Sequence, residues 1–293
     1  MTHAKSRMEG KVKMKSKKVL VTGAAGYIGR HVVKEFLNMG YHVIASDLAY
    51  KGVDERAEYS HISIWSGDKD IYEQFERPDI LVHLAWRDGF IHNSEAHMKD
   101  LSNHMEFLQN MIDGGLPFLT VMGSMHEVGY WEGAIDENTP CNPLSMYGVA
   151  KNALRQALML YSKGKAVNLH WLRGFYIYGD DAYGSSIFSK IVQAVEDGKK
   201  EFPFTMGKNK YDFIHVSELA KQIARASIQS KHNGIINVCS GEKVSLSEQV
   251  TKYINDHHYD LKLNYGAFPD RPYDSPEVWG DNTIISQIMR EYE

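Results

Sequence analysis

The apolar positions of this 293-residue chain follow two alternating periods. Residues 18–22, Lys-Val-Leu-Val-Thr, form a short β-rich run. Over residues 27–39 the side chains Ile28, Val32, Phe36 and Leu37 recur at helical spacing, and Gly40 follows as a stop. Residues 41–46 read as the next strand, which ends at Asp47. The alternation continues with a weak strand at 62–65, a buried strand at 80–85 and a helix at 94–112 that sets Met98, Leu101, Met105, Leu108 and Met111 on one side. A strand at 118–122, a long helix at 147–161 and a strand at 168–172 complete the regular part. Strands that alternate with helices predict a doubly wound parallel sheet with right-handed crossovers. Beyond residue 180 the pattern loosens into short helical stretches (186–197, 217–230, 245–257) and brief strands (211–214, 234–238, 261–265), with four of the prolines, Pro203, Pro269, Pro272 and Pro276, among them.

Between the first strand and the first helix lies Gly23-Ala-Ala-Gly26-Tyr-Ile-Gly29. Glycines at these places let the backbone turn tightly and approach a pyrophosphate, which the helix N-terminus then stabilises. A glycine triple alone says little. Set between a strand and a helix, with an acid ending the next strand, it has the layout of a dinucleotide-binding βαβ unit. The expected fold is therefore α/β: a Rossmann-type doubly wound parallel sheet over 18–180, with a smaller C-terminal α/β substrate-binding lobe over 181–293. The chain would cross back to the sheet around 211–240. Asp47 can accept hydrogen bonds from a ribose 2′-OH and would repel a 2′-phosphate. The next residues, Leu48-Ala49-Tyr50, bring no cation, so NAD(H) is favoured; Lys51 and Arg56 keep NADP(H) open. Asp68, in Gly-Asp-Lys-Asp, is either an acceptor for the adenine amino group or a plain loop aspartate.

Composition narrows the partners. A hydrophobic share of 43%, a charged share of 24% and a net charge of −4 describe an ordinary globular protein and argue against nucleic acid as the main partner. No apolar run approaches the roughly 18–20 residues that cross a membrane. The first eighteen residues carry seven Lys/Arg and one acid without an apolar core, so residues 1–17 read as a solvated, disordered basic leader. The two cysteines, Cys141 and Cys239, show no metal-ligand spacing and suit a reduced, cytoplasmic protein. The fourteen histidines are scattered, and no metal site is expected.

The chemistry is concentrated in Tyr147-Gly-Val-Ala-Lys151. A Tyr and a Lys four residues apart share a helix face. An ammonium beside a phenol favours the phenolate, which would lower the tyrosine pKa and make a proton shuttle usable near neutrality. With a dinucleotide as hydride partner, this points to redox chemistry at a carbinol or ketone carbon.

The order Gly-x-x-Gly-x-x-Gly, His83-Leu-Ala-Trp86, Ser124, Tyr-x-x-x-Lys resembles the extended short-chain dehydrogenase/reductase family, in its nucleotide-sugar epimerase, dehydratase and ketoreductase branch. The similarity runs on through Leu172-Arg-Gly-Phe-Tyr-Ile-Tyr-Gly179, Asp212-Phe-Ile-His-Val-Ser-Glu-Leu-Ala220, Ile236-Asn-Val-Cys-Ser-Gly241 and Pro269-Asp-Arg-Pro-Tyr-Asp274. The resemblance implies that Tyr147 exchanges the proton at the substrate oxygen. Lys151 would hold the nicotinamide ribose, and Ser124 would orient the same oxygen. Gly23, Gly26, Tyr27, Ile28, Gly29, Asp47, Leu48, Asp68, Leu84, Ala85, Trp86, Phe175 and Ile177 would line the cofactor cleft together with Tyr147 and Lys151. Tyr176 and Arg271 would face the nucleotide sugar, and His126 would be either a substrate contact or a packed histidine. Counting back from Gly129 sets Ser124 in the catalytic place. Counting from Glu127-Val128 sets Met125 there, a poor hydrogen-bond partner, so Ser124 is preferred. The family's helices corresponding to 94–112 and 147–161 form a four-helix interface, which implies a homodimer.

The dehydratases of this branch carry an Asp-Glu pair after the catalytic hydroxyl residue. Here those places hold Met125-His126, which disfavours elimination. Tyr176 replaces an asparagine that helps hold the diphosphate, and Trp86-Arg87 replaces small residues, bringing a bulky ring and a cation near the cleft. The leading expectation is reduction of the C4 ketone of a nucleotide-linked 4-keto-6-deoxyhexose. A nucleotide-sugar 4-epimerase with tightly bound NAD is the alternative, followed by a dinucleotide sensor without turnover.

Overall fold

The computed structural model describes residues 17–184, 186–269 and 274–292. Residues 1–16 of the basic leader, and Arg271, lie outside the described residues. The chain runs β1 (Lys18–Thr22), α1 (Gly29–Asn38), β2 (His42–Ser46), β3 (Glu58–Ser60), α2 (Ile71–Gln74), β4 (Ile80–His83), α3 (Ala96–Lys99), α4 (Leu101–Asp113) and β5 (Phe118–Ser124). It continues with β6 (Gly133–Ile135), α5 (Met146–Tyr161), β7 (Asn168–Gly174), β8 (Tyr176–Tyr178), α6 (Ile187–Glu196), β9 (Glu201–Pro203), β10 (Lys210–Tyr211) and β11 (Phe213–His215). The last elements are α7 (Val216–Ser227), β12 (Gly234–Val238), β13 (Val244–Ser245), α8 (Leu246–Asp256), β14 (Lys262–Asn264), β15 (Glu277–Gly280) and α9 (Thr283–Arg290).

Seven strands form one parallel sheet in the order β12-β7-β5-β4-β1-β2-β3. Strand side chains alternate between faces, and here both faces are buried. Val19 and Val21 of β1 join α1, α7 and α9 in one cluster through Val32, Phe36, Leu219, Ile223, Ile285 and Ile288. Leu20, from the same strand, joins α2, α4 and α5 on the opposite face through Ile71, Phe107, Leu108, Leu154 and Leu158. This two-sided burial explains why the parallel strands read as continuous apolar runs. The sheet order reverses between β1 and β4, and ligands of such sheets bind at that crevice. A third cluster lies outside the sheet and joins Met125, Val128 and Ile135 to Phe175, Phe188, Phe204, Tyr211, Val250 and Val278.

Some local expectations shift. The weak strand expected at 62–65 is a turn, and the strand lies earlier, at β3. Ser60 and Ser63 hydroxyls accept from Ile62 N–H (3.4 Å) and Trp65 N–H (3.2 Å), which competes with ladder pairing. Ile62 and Ile64 still pack on the second cluster, which is why they alternate like a strand. The 94–112 helix is broken at Asp100 into α3 and α4, and the 211–214 strand is split between β10 and β11, which belong to different sheets.

Asp212 stands at that split. Its fully buried carboxylate accepts from Ser240 N–H (2.8 Å), Ser240 Oγ (2.7 Å), Gly241 N–H (2.9 Å) and Gly280 N–H (3.2 Å), while its carbonyl accepts from Tyr176 N–H (3.1 Å). It thus ties the ends of β12 and β15 to the segment that carries Phe175 and Ile177. Asp212→Ala would strand three backbone donors, so urea denaturation should report a loss of about 3–5 kcal/mol.

Candidate active site

Two close approaches that require glycine build the site. The first is the loop between β1 and α1. Gly23 has φ +69, and a Cβ there would lie 2.6 Å from the Ala85 nitrogen; one on Gly29 would lie 2.0 Å from the Gly23 carbonyl oxygen. Without side chains at these places, the loop, the first turn of α1 and the segment after β4 can meet. Asp47 is fixed beside them, accepting from Ala25 N–H (2.8 Å) and Leu48 N–H (2.7 Å). Each of its carboxylate oxygens keeps a further lone pair for a ribose hydroxyl. Leu48 is exposed next to it. Arg56 is engaged elsewhere, by Asp54 (2.7 and 2.9 Å) and Asn38 (3.0 Å). Asp68 is exposed and its carboxylate serves its own turn, accepting from Asp70 N–H (3.1 Å) and from the Gln74 amide.

The second approach is that of α5. Ser145 caps the helix, its hydroxyl accepting from Gly148 N–H at 3.2 Å. A Cβ on Gly148 would lie 2.3 Å from the His126 carbonyl oxygen, so glycine lets the helix lie against the one-turn 3-10 helix Met125–Glu127. This sets Tyr147 within hydrogen-bonding reach of the Ser124 hydroxyl, while Met125 packs into the third cluster. Behind Ser124, the fully buried Glu127 carboxylate accepts from Ser124 N–H (2.7 Å) and Trp171 Nε1–H (2.9 Å).

Burial dominates the electrostatics of the pair. It pushes the Tyr147 phenol up to about 12, with the Ser124 hydrogen bond opposing and Glu127 adding to the rise. It pulls the Lys151 ammonium down to about 7, with Glu127 opposing. The expected lowering of the phenol by the ammonium is therefore not found. Lys151 Nζ stands 5.9 Å from the Tyr147 ring centre, donates to the Met122 carbonyl at 2.7 Å and lies 3.7 Å over the centre of the Trp86 ring. Desolvation thus outweighs the interaction between the two groups.

Histidines scattered in the sequence gather around Tyr147. His92 lies parallel to the phenol ring at 5.6 Å and 4.4 Å from the His126 ring, and its carbonyl accepts from Tyr147 N–H at 2.9 Å. His97 meets the phenol edge-on at 5.3 Å. Burial and the neighbouring His92 hold His126 down at about 4. His92 had no sequence signal, because the contact depends on how the 88–94 loop folds back onto α5. Among the described residues, no group of three or more His, Cys, Asp or Glu could hold a metal ion.

The glycine loop, Ser124, His92, His126, Tyr147 and Lys151 open on a cavity of about 1510 Å³, which Asp47, Leu48, Asp68 and Ala85 do not line. Gly23, Gly26, Tyr27, Ile28 and Gly29 line one side; Leu84, Trp86, Ser124, His126, Tyr147, Lys151, Phe175 and Ile177 line the middle. Tyr176 reaches the far side, stacked on Tyr211 at 4.2 Å, beside Phe204, Lys190, Lys208 and Asn209, none of which sequence reasoning had singled out. Arg87 does not bring its cation to the cleft; it forks onto Asp100 with two contacts of 3.0 Å. The residues present fit a dinucleotide. The glycine cradle has no room for a Cβ, the buried Tyr27 hydroxyl has no partner among the described residues, and Asp47 and Lys151 supply an acceptor and a cation.

Residues 19–239 match the NAD dependent epimerase/dehydratase family, and the chain belongs to that family. It is 43% identical over 269 residues to a dTDP-6-deoxy-L-talose 4-dehydrogenase (NAD(+)) of Aggregatibacter actinomycetemcomitans, covering 89% of this chain and 98% of that one. Among solved structures it is similar to a UDP-N-acetylglucosamine 4-epimerase from Methanobrevibacter ruminantium M1, with a TM-score of 0.81 at 20% identity, covering 94% of this chain and 92% of the other. It is also similar to a UDP-glucuronic acid 4-epimerase from Bacillus cereus in complex with UDP-glucuronic acid and NAD, with a TM-score of 0.76 at 21% identity over 93% of both chains. At these identities the two structures support the fold alone, and the α/β, Rossmann-type expectation is met.

The lowered Lys151 pKa has a consequence for stability. A lysine titrates near 10.4 when unfolded and near 7 here. Between those values the unfolded chain binds more protons, so stability should rise with pH across that window, and the full cost of burial is present below it. Lys151→Met should therefore be more stable than wild type at pH 7, by on the order of 2–4 kcal/mol. The gap should close by about pH 10.5, as chemical denaturation at several pH values would show.

Proposed function

We propose that the protein is an NAD-dependent oxidoreductase that interconverts the C4 ketone and C4 alcohol of a nucleotide-linked 6-deoxyhexose, acting as the reductase of the 4-keto sugar. The observation that carries this is its 43% identity, across 98% of the other chain, to an enzyme named as a dTDP-6-deoxy-L-talose 4-dehydrogenase (NAD(+)), whose reverse is that reduction. The cavity adds support, since it joins a glycine cradle to a Ser-Tyr-Lys set on one wall.

In this reading, the glycine loop and Tyr27 receive the pyrophosphate, Asp47 the adenosine ribose and Lys151 the nicotinamide ribose. A dinucleotide held by these residues would supply the hydride for C4. Tyr147 gives its phenolic proton to the C4 oxygen, and burial, which holds the phenol at about 12, keeps that proton in place until it is needed. Ser124 shares the same oxygen and sets the carbonyl's orientation. His126 and Tyr176 face the sugar nucleotide. Trp86, Phe175 and Ile177 give this part of the cavity its apolar lining.

We further propose a homodimer. Met146, Val149 and Leu160 form an exposed apolar stripe on α5, and Met98 of α3 is exposed too. A monomeric mass in solution at micromolar concentration would overturn this. A cytoplasmic location is supported by two free cysteines, and no helix among the described residues is long and apolar enough to cross a membrane.

The test is absorbance at 340 nm with reduced dinucleotide and a panel of nucleotide-linked 4-keto-6-deoxyhexoses. Stoichiometric loss of NADH supports the reductase. No net loss, with C4 epimers interconverting on chromatography, would identify an epimerase instead. Tyr147→Phe should lower kcat by at least about 100-fold with its fold intact; an unchanged function would favour a sensor.

A further inference from the structure

Trp86 stands where the resemblance places a small residue, and its surroundings are specific. One ring face takes the Lys151 ammonium at 3.7 Å from the ring centre, within the range in which tryptophan attracts a cation most strongly among aromatic side chains. The indole Nε1–H donates to His97 Nδ1 at 3.1 Å, and His97 Nε2 faces the Ile91 carbonyl at 3.0 Å. A His97 that accepts at Nδ1 is the neutral tautomer with its proton at Nε2. The His104 ring stacks on the indole at 4.6 Å and 12°. It is tied in turn to His83 (2.9 Å), which is tied to Thr22 Oγ1 (2.8 Å) at the end of β1. Burial and Lys151 hold His104 down at about 3, so no second cation competes for the indole. Next to Trp86, the Arg87–Asp100 fork fixes the backbone onto the start of α4.

We propose that Trp86 is a positioning residue for Lys151: its indole, locked by His97 and His104, holds the ammonium by a cation–π contact and sets where it points. Lys151 then has two anchors, the Met122 carbonyl and the indole face, in a site that otherwise disfavours its charge. The other titratable groups that face it are Tyr147 on its own helix, Glu127 from the 3-10 turn after β5, His83 from β4 and His104 from α4. Of these, Glu127 favours the ammonium, while the two histidines carry no charge to oppose it. The inference rests on the role given to Lys151 above. Its test reads a lysine titration and not turnover, so either can fail without the other.

The experiment is an NMR titration of the intact protein labelled with ¹³C at lysine Cε, with the Lys151 signal identified by its loss in Lys151→Arg. Trp86→Leu should move the Lys151 midpoint down by about one pH unit, and Trp86→Phe should restore most of that shift. Replacing the tryptophans by 5-fluorotryptophan keeps the packing but draws electron density from the ring, and it should give an intermediate downward shift even where the leucine variant does not fold. A midpoint unmoved by fluorination, or lowered equally by leucine and phenylalanine, would overturn the proposal and leave Trp86 as cavity lining.

Discussion

The site depends on one buried carboxylate. Glu127 is fully buried, yet it holds Ser124 N–H at the end of β5 and Trp171 Nε1–H on β7. Arg155 of α5 and Arg173 of β7 stand 3.3 and 3.7 Å away to balance its charge. Three elements that carry or back the candidate site, β5, β7 and α5, thus meet at one point. A buried ion set of this kind contributes little net stability, but loss of one partner is costly because the others are left uncompensated. Gly123 belongs to the same arrangement: a Cβ there would lie 2.2 Å from Trp171 Nε1 and 2.6 Å from Glu127 Oε1. The strand therefore carries glycine just before Ser124, where any side chain would displace the carboxylate.

Glu127 also separates this chain from the dehydratase pattern in physical terms. An acid that serves elimination must reach the sugar. This one faces away, behind the backbone of Ser124, with its contacts made to the sheet and to α5. The side chain nearer the phenol is His126, which burial keeps neutral. The acid is thus present in sequence near the right place, but the capping box that begins at Ser124 turns it inward.

What the sequence made legible was local. The β1–α1–β2 unit, its glycines and Asp47 fall where periodicity and turn chemistry predict them, because those signals act over a few residues. Tyr147 and Lys151 were legible for the same reason, as a pair four apart on one helix. The Asp100 break in the 94–112 helix was not; the boundary residue there pairs with Arg87, a partner from outside the helix. Nor were the roles of His83, His92, His97 and His104, which come from four separate segments and converge only because β4, the 88–94 loop, α3 and α4 pack against α5. The same limit explains the misjudged pKa of Tyr147. Spacing indicated a cation nearby, but it carried no measure of how far burial would raise the phenol and hold the ammonium on Trp86 instead.

The resulting charge states bear on direction. Reduction of a ketone requires a protonated phenol to supply the alcohol's proton, and oxidation of the alcohol requires a phenolate to accept it. Burial pushes the phenol up to about 12, which makes the phenolate that oxidation needs scarcer than in a free tyrosine. Lys151, held at about 7, has its charge balanced at the same pH. The groups that favour that charge, Glu127 and the Trp86 face, therefore govern how firmly the dinucleotide end of the site stays cationic. Oxidation has to draw on the small phenolate fraction, which grows as pH rises, so alkaline conditions favour the alcohol-to-ketone direction and neutral ones the reverse. One tyrosine in one buried setting can serve both directions, as phenol for reduction and as phenolate for oxidation.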